Sequence, residues 1–236
     1  MPDELAVLYE DNHCLALAKP APLLTQAPPG VPSLEAMARA YLKEKYHKSG
    51  NVYLGIPHRL DRPVSGVVLL ARSSKAAARL AEQFHNRQIR KVYWALVEGK
   101  ITPAEGVWED WLLKIKDEAR SLRVTAETPG ARHAVLAYRC LRCVDGGTLL
   151  EIEPHTGRMH QIRVQAASHG WPVRGDVLYG SALPFGPSPA EALPRDRVIA
   201  LHARSLTFPH PIRFEPITVV APLPETWPDR TTLDVS

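Results

Sequence analysis

Residues 65–99 read SGVVLLARSSKAAARLAEQFHNRQIRKVYWALVEG. The run SGVVLLARS is apolar without alternation and predicts a buried strand. Ser73 or Ser74 then starts a helix, KAAARLAEQFHNRQ, whose apolar Ala77, Leu80, Ala81 and Phe84 share one face. IRKVYWALVEG alternates Val92, Trp94 and Leu96 against Tyr93, as a half-buried strand does. This strand-helix-strand unit decides the fold because it is not repeated. Upstream, LAVLY and CLALAKP are short strands joined by the turn EDNH. PAPLLTQAPPGVP cannot continue a sheet, and a helix capped by Ser33 follows, with Leu34, Met37, Ala38, Tyr41 and Leu42 on one face. Downstream, residues 107–125 and 133–153 are strand-rich, with Asp145-Gly146-Gly147 as a hairpin signal. One helix, MHQIRVQAASH, ends at Gly170. Residues 181–197 form a proline-rich surface loop, and VIALHARSLTF and RFEPITVVA close the chain as strands. The class is α+β: a single domain with an extended, mainly antiparallel mixed sheet and flanking helices, not a doubly wound alternation.

The 236 residues are 45% hydrophobic and 23% charged, a balance suited to one large core or two smaller lobes. No apolar run is long enough for a membrane helix, and the N-terminus lacks an export signal, which predicts a cytoplasmic protein. A net charge of +4 favours a polyanionic partner. Three cysteines make no disulfide framework. Cys140 and Cys143 spell C-x-x-C, but residues three apart on a strand point to opposite faces, so the spacing argues against a metal or redox site. His155 and His160 have no cysteine or carboxylate at ligand spacing, and no metal is expected. Dinucleotide, P-loop, zinc-protease and nucleophile-elbow signatures are all absent.

What remains is an isolated carboxylate. Asp61 stands in HRLDRPVSG (58–66), between a turn and a strand, where a rigid sheet presents side chains to a cleft. Taken alone, it pairs with Arg59 or Arg62 at the surface. Tyr93 alone is a cross-strand tyrosine, and TGRMHQIR alone is an anion-binding helix start.

Together with their surroundings these segments resemble the RluA-type pseudouridine synthases. HRLDRPVSG is similar to the family's H-R-L-D-R-x-T-S-G, KVYWALVEG to K-x-Y-x-A-L-V-x-G, and PHTGRMHQIRV to L-x-T-G-R-x-H-Q-I-R-V. WPVRGDVLYG, LHARSLTFPHP and the opening VLYEDNHCLALAKPAPLL match further family segments, in order, from about residue 7 to residue 211.

The resemblance implies a cofactor-free isomerase that breaks a uridine's N-glycosidic bond in ribosomal or transfer RNA, turns the uracil and rejoins it through carbon 5. It implies a short form without an S4 domain, acting as a monomer, with two lobes around one central RNA-binding cleft. Asp61 takes the place of the essential aspartate. It must be ionised to attack the sugar, attack the base or abstract a sugar proton, and all three routes stay open. Arg163 is then its salt-bridge partner, and Tyr93 stacks on the uracil. The target uridine must be flipped out, and Arg59 enters the space beside it. Arg62, Arg158, His160 and Gln161 are expected to contact substrate. Pro63, Val64, Pro22 and Met159 depart from the family pattern but leave Asp61, Tyr93 and Arg163 in place. Two rival readings are a non-catalytic RNA-binding protein on the same fold and a nucleoside glycosidase, the latter lacking an evident second carboxylate.

Overall fold

Among the described residues the regular elements are strands and three α-helices, two of them capped by serine. The structure is a computed structural model and describes residues 5–144, 146–186, 193 and 196–227. Asp145 of the expected hairpin turn and most of the 187–195 loop lie outside the described residues. In chain order the elements are β1 (Val7–Glu10), β2 (Cys14–Lys19), α1 (Leu34–Lys45), β3 (Ser65–Ala71), α2 (Ser74–His85), β4 (Arg90–Glu98) and β5 (Glu105–Lys114). There follow β6 (Ser121–Val124), β7 (Arg132–Val144), β8 (Gly147–Pro154), α3 (Gln161–Ser168), β9 (Leu201–Pro209) and β10 (Pro216–Val220). The strands are mostly antiparallel and the class is α+β, as the sequence predicts. Among the described residues no helix is long and apolar enough to cross a membrane.

The chain divides into two compact units. The first comprises the residues up to Lys91 and those from Ala203 onward. Its strands run in the order β1-β2-β3-β9, with β10 on β9. Every residue of β3 is buried, which explains its unbroken apolar run. Val67, Leu69 and Ala71 pack with Cys14, Ala16, Leu80, Leu206 and Phe208 into the core. The Ser33 and Ser73 hydroxyls accept from the Ala36 and Ala76 amides at 3.2 and 3.3 Å, capping α1 and α2. α2 buries Ala76, Leu80 and Gln83, whereas Ala81 is exposed, so its inner face lies slightly around the helix from the one the apolar pattern suggests. Gly66 has a φ of +120°, and a Cβ there would sit 2.3 Å from the Ala203 carbonyl oxygen, so only glycine lets β3 approach β9.

The second unit, Val92–His202, orders its strands β4-β8-β7-β5-β6. Trp94 to Val97 are all buried, so β4 is covered on both faces there, not half-buried. α3 begins two residues later than its pattern suggests, because His160 takes a left-handed φ of 55° as the residue before the first turn. Arg158 and His160 therefore stand in the loop ahead of the helix. A second correction concerns the cysteines. In the β7–β8 pairing Cys140 lies opposite Leu150, Arg142 opposite Leu149 and Cys143 opposite Thr148. The bulge at Leu141 inserts one residue and reverses the alternation. Cys140 and Cys143 thus share a face instead of opposing each other.

Candidate active site

In the first unit, the turn carrying Asp61 is fastened on both sides by hydrogen bonds to the segment after β2. The Thr25 hydroxyl donates to the Leu60 carbonyl at 2.9 Å and accepts from the Leu60 amide at 3.1 Å. The Arg62 carbonyl accepts from the Leu23 amide at 3.1 Å and from the Lys19 ammonium at 3.3 Å. Lys19 also donates to the carbonyls of Leu23 at 2.7 Å and Pro20 at 3.0 Å. The Val64 amide closes the turn on the Asp61 carbonyl at 3.1 Å. The backbone is thus fixed immediately before and after Asp61, whose side chain stays half-buried, while Leu60 points inward and Arg59 outward.

Lys19, which the sequence patterns do not single out, braces the Asp61 turn. Its signal is the Lys-Pro pair ending CLALAKP, which belongs to the family likeness but carries no role there. Lys19 is 1% exposed. Burial pushes its pKa down to about 7, and the neighbouring charge of Asp61 opposes that fall. The Lys19 amine therefore feels the Asp61 carboxylate from within the same unit.

His58 holds the start of the turn. Its ring stacks on Phe84 with centroids 4.6 Å apart, and its Nε2 accepts from the Leu69 amide at 2.8 Å. Burial of the ring, and secondarily repulsion from Lys91, push its pKa down to about 3. The imidazole is neutral and serves as an acceptor, not a proton shuttle.

The second unit holds the other charged cluster. Arg163 and Asp176 pair with Nε–Oδ2 and Nη2–Oδ1 distances of 2.6 and 2.8 Å, with side chains only 6% and 1% exposed. The Tyr179 ring covers the guanidinium at 5.1 Å. The Tyr179 hydroxyl accepts from the Ser121 amide at 3.0 Å and bonds His160 Nδ1 at 2.9 Å. The segment GDVLYG builds this cluster. Gly175 has a φ of +82°, and a Cβ there would meet the Val198 carbonyl oxygen at 2.7 Å, so it permits the close turn that delivers Asp176 and Tyr179.

Gln161 is 5% exposed and its amide is committed within the protein. Its Oε1 accepts from the Thr156 hydroxyl at 2.8 Å and the Arg158 amide at 3.0 Å, while Nε2 donates to the Val135 carbonyl at 3.0 Å. Arg158 Nε donates to the His133 carbonyl at 2.8 Å. Tyr93 is half-buried on the sheet face that it shares with its cross-strand partner Ile152. Arg59, Asp61 and Arg62 thus stand in one turn of the first unit. Arg158, His160, Gln161 and Arg163 gather in one loop and helix of the second, the unit to which Tyr93 also belongs.

Asp11, Cys14 and His210 place their ligand atoms within 4.8 Å of one another. Asp11 Oδ2, however, already binds Tyr9, His210 and Arg213. Burial pushes the Cys14 thiol up to about 12. The group is a hydrogen-bonded hub and suits a cation poorly, with Arg213 beside it.

Residues 13–168 match the family model described as RNA pseudouridylate synthase. The chain is 38% identical over 226 residues to an uncharacterized RNA pseudouridine synthase of Zymomonas mobilis, covering 94% of this chain and 95% of that one. It is 36% identical over 225 residues to ribosomal large subunit pseudouridine synthase D of Xanthomonas campestris, spanning 94% of this chain but 66% of that protein. Against tRNA pseudouridine synthase C of Haemophilus influenzae the identity is 33%, over 94% and 95% of the two chains. The solved structure of human RNA pseudouridylate synthase domain containing 4 superposes with a TM-score of 0.75 at 24% identity, covering 93% of this chain and 89% of that one, a likeness of fold.

Proposed function

The chain belongs to the RNA pseudouridylate synthase family, and on that premise we propose that it isomerises specific uridines of ribosomal or transfer RNA to pseudouridine through Asp61. The relatives named for large-subunit ribosomal RNA and for transfer RNA support the substrate class. The observation that carries the reading is the fastened turn. Its hydrogen bonds from Thr25, Leu23 and Lys19 fix the backbone on both sides of one half-buried carboxylate, with the buried Lys19 amine in the same unit. Such rigidity is what a group needs to meet a reacting carbon in one orientation.

The reaction conserves atoms. The bond between uracil N1 and the sugar breaks, the base rotates, and carbon 5 joins the sugar while losing its proton and N1 gains one. An ionised Asp61 can serve as nucleophile or base in that sequence, and a nearby positive charge keeps it ionised in a closed site. We assign Arg163 as its counter-charge in the loaded enzyme. That role is supported by the fixed guanidinium plane which Asp176 and Tyr179 give it. Tyr93 is assigned to stacking on the uracil, and the exposed Arg59 to the space beside the flipped nucleotide. Arg62, Arg158 and His160 are assigned to the RNA backbone near the site, and Gln161 to shaping the loop that presents them. The setting is a cytoplasmic monomer that needs no cofactor.

The test is Asp61→Asn, which keeps the side chain's size and removes its charge. The variant should fold and bind RNA while forming no pseudouridine. Turnover at the wild-type rate would overturn the assignment, and inactivity of the wild type itself on all cellular RNA would overturn the function.

A further inference from the structure

We infer that Cys140 and Cys143 form a dithiol which small-molecule disulfides oxidise to a labile disulfide within strand β7. Nothing in the uridine chemistry uses these residues, so the inference stands apart from the catalytic reading. It rests on the bulge at Leu141. A regular strand would send the two side chains to opposite faces, but the extra residue places both on the face of Leu150 and Thr148, their partners on β8. There the Cys143 sulfur adjoins Cys140 closely enough to act on its thiol. Cys143 is exposed and Cys140 half-buried. Burial first, and the adjoining Cys143 sulfur second, push the Cys140 thiol upward. The pair is therefore asymmetric, with one sulfur presented to solvent and one held behind it.

The order of events follows from that asymmetry. The Cys143 thiolate attacks one sulfur of a small disulfide such as glutathione disulfide; a sulfur–sulfur bond breaks and one glutathione thiolate leaves, taking up a proton. Cys140 then loses its proton and attacks the Cys143 sulfur of the mixed disulfide, and the second glutathione leaves as its thiol. Two protein thiols have lost two electrons, and the oxidant has become two thiols. The resulting bridge is labile for a geometric reason. Partners Leu150 and Thr148 are two ladder steps apart, which sets the Cα atoms of the cysteines roughly 6.8 Å from each other. That is about the upper end of the usual disulfide range. A bridge at that limit is strained, and strained, accessible disulfides are the readily reduced ones.

The experiment treats the full-length protein with glutathione disulfide, quenches by alkylation and reads intact and peptide masses. The expected result is loss of two hydrogen masses, a cross-link joining the Cys140 and Cys143 peptides, and full reversal by reduced glutathione. Cys140→Ser should instead accumulate one glutathione on Cys143, and Cys143→Ser should leave Cys140 unmodified over the same time. A wild type that stops at the mixed disulfide with Cys140 still alkylatable would overturn the proposal. So would two unmodified thiols under excess glutathione disulfide, or a Cys143→Ser variant in which Cys140 reacts as fast as the wild-type pair.

Discussion

Replacing Asp176 by alanine removes the carboxylate that fixes Arg163 and leaves a guanidinium, 6% exposed, without that partner. Two bonds of 2.6 and 2.8 Å disappear together. A charge pair about 4 Å apart at an effective dielectric near 20 is worth about 4 kcal/mol. Breaking a buried pair by deleting one member costs roughly 3–5 kcal/mol, because the remaining charge stays desolvated. The two magnitudes agree. For a chain of this length, each kcal/mol lowers the melting temperature by about 2–4 °C, so the variant should melt roughly 6–20 °C below the wild type. Asp176→Asn keeps an acceptor and the volume, and should lose distinctly less. Because Asp176 is buried and holds Arg163, kcat should fall in both variants with KM changing little. Calorimetry and single-turnover pseudouridine formation read the two effects separately. If Asp176→Ala melted within about 1 °C of the wild type, or kept its kcat, the buried pair would not be what orders this cluster.

Acid should weaken the first unit through His58. Its pKa is about 3 in the fold against 6.5 unfolded, so the unfolded chain binds the extra proton between those values. Stability therefore falls by about 1.4 kcal/mol per pH unit on acidification through that window, a slope His58→Gln should flatten in urea titrations from pH 6 to pH 4. Lys19 acts with the same sign in an alkaline window. With a folded pKa of about 7 against 10.5, it contributes rising stability as pH climbs between the two. Lys19→Met should abolish that rise and should also reduce turnover, by loosening the Asp61 turn. Arg87, just before β4, and Arg90, its first residue, are exposed. Replacing each by alanine should lower the slope of log affinity against log salt by about 0.7 for every RNA phosphate that is no longer neutralised, as filter binding would measure.

Much of this architecture is legible because it is written locally. The Ser33 and Ser73 caps and the buried run of β3 each follow from a few adjacent residues. The family likeness then singles out the turn at Asp61, which no periodicity could mark as chemical. The misreadings arise where one residue changes the phase of a pattern. Leu141 bulges and brings Cys140 and Cys143 to one face; His160 turns left-handed and shortens α3; the inner face of α2 includes the polar Gln83 and leaves out Ala81. Partnerships distant in sequence are equally hidden. That Asp176 grips Arg163, or that Lys19 braces the carbonyl beyond Asp61, depends on how loops return, which spacing does not encode.

Whether Asp61 carries out uridine isomerisation in RNA is read from a transcriptome-wide map of pseudouridine in cells lacking the gene, complemented either with the wild type or with Asp61→Asn. Discrete ribosomal or transfer RNA positions should lose pseudouridine with the gene, regain it with the wild type and stay as uridine with Asp61→Asn, although the variant protein accumulates normally. Restoration of those positions by Asp61→Asn would rule out that role for the carboxylate.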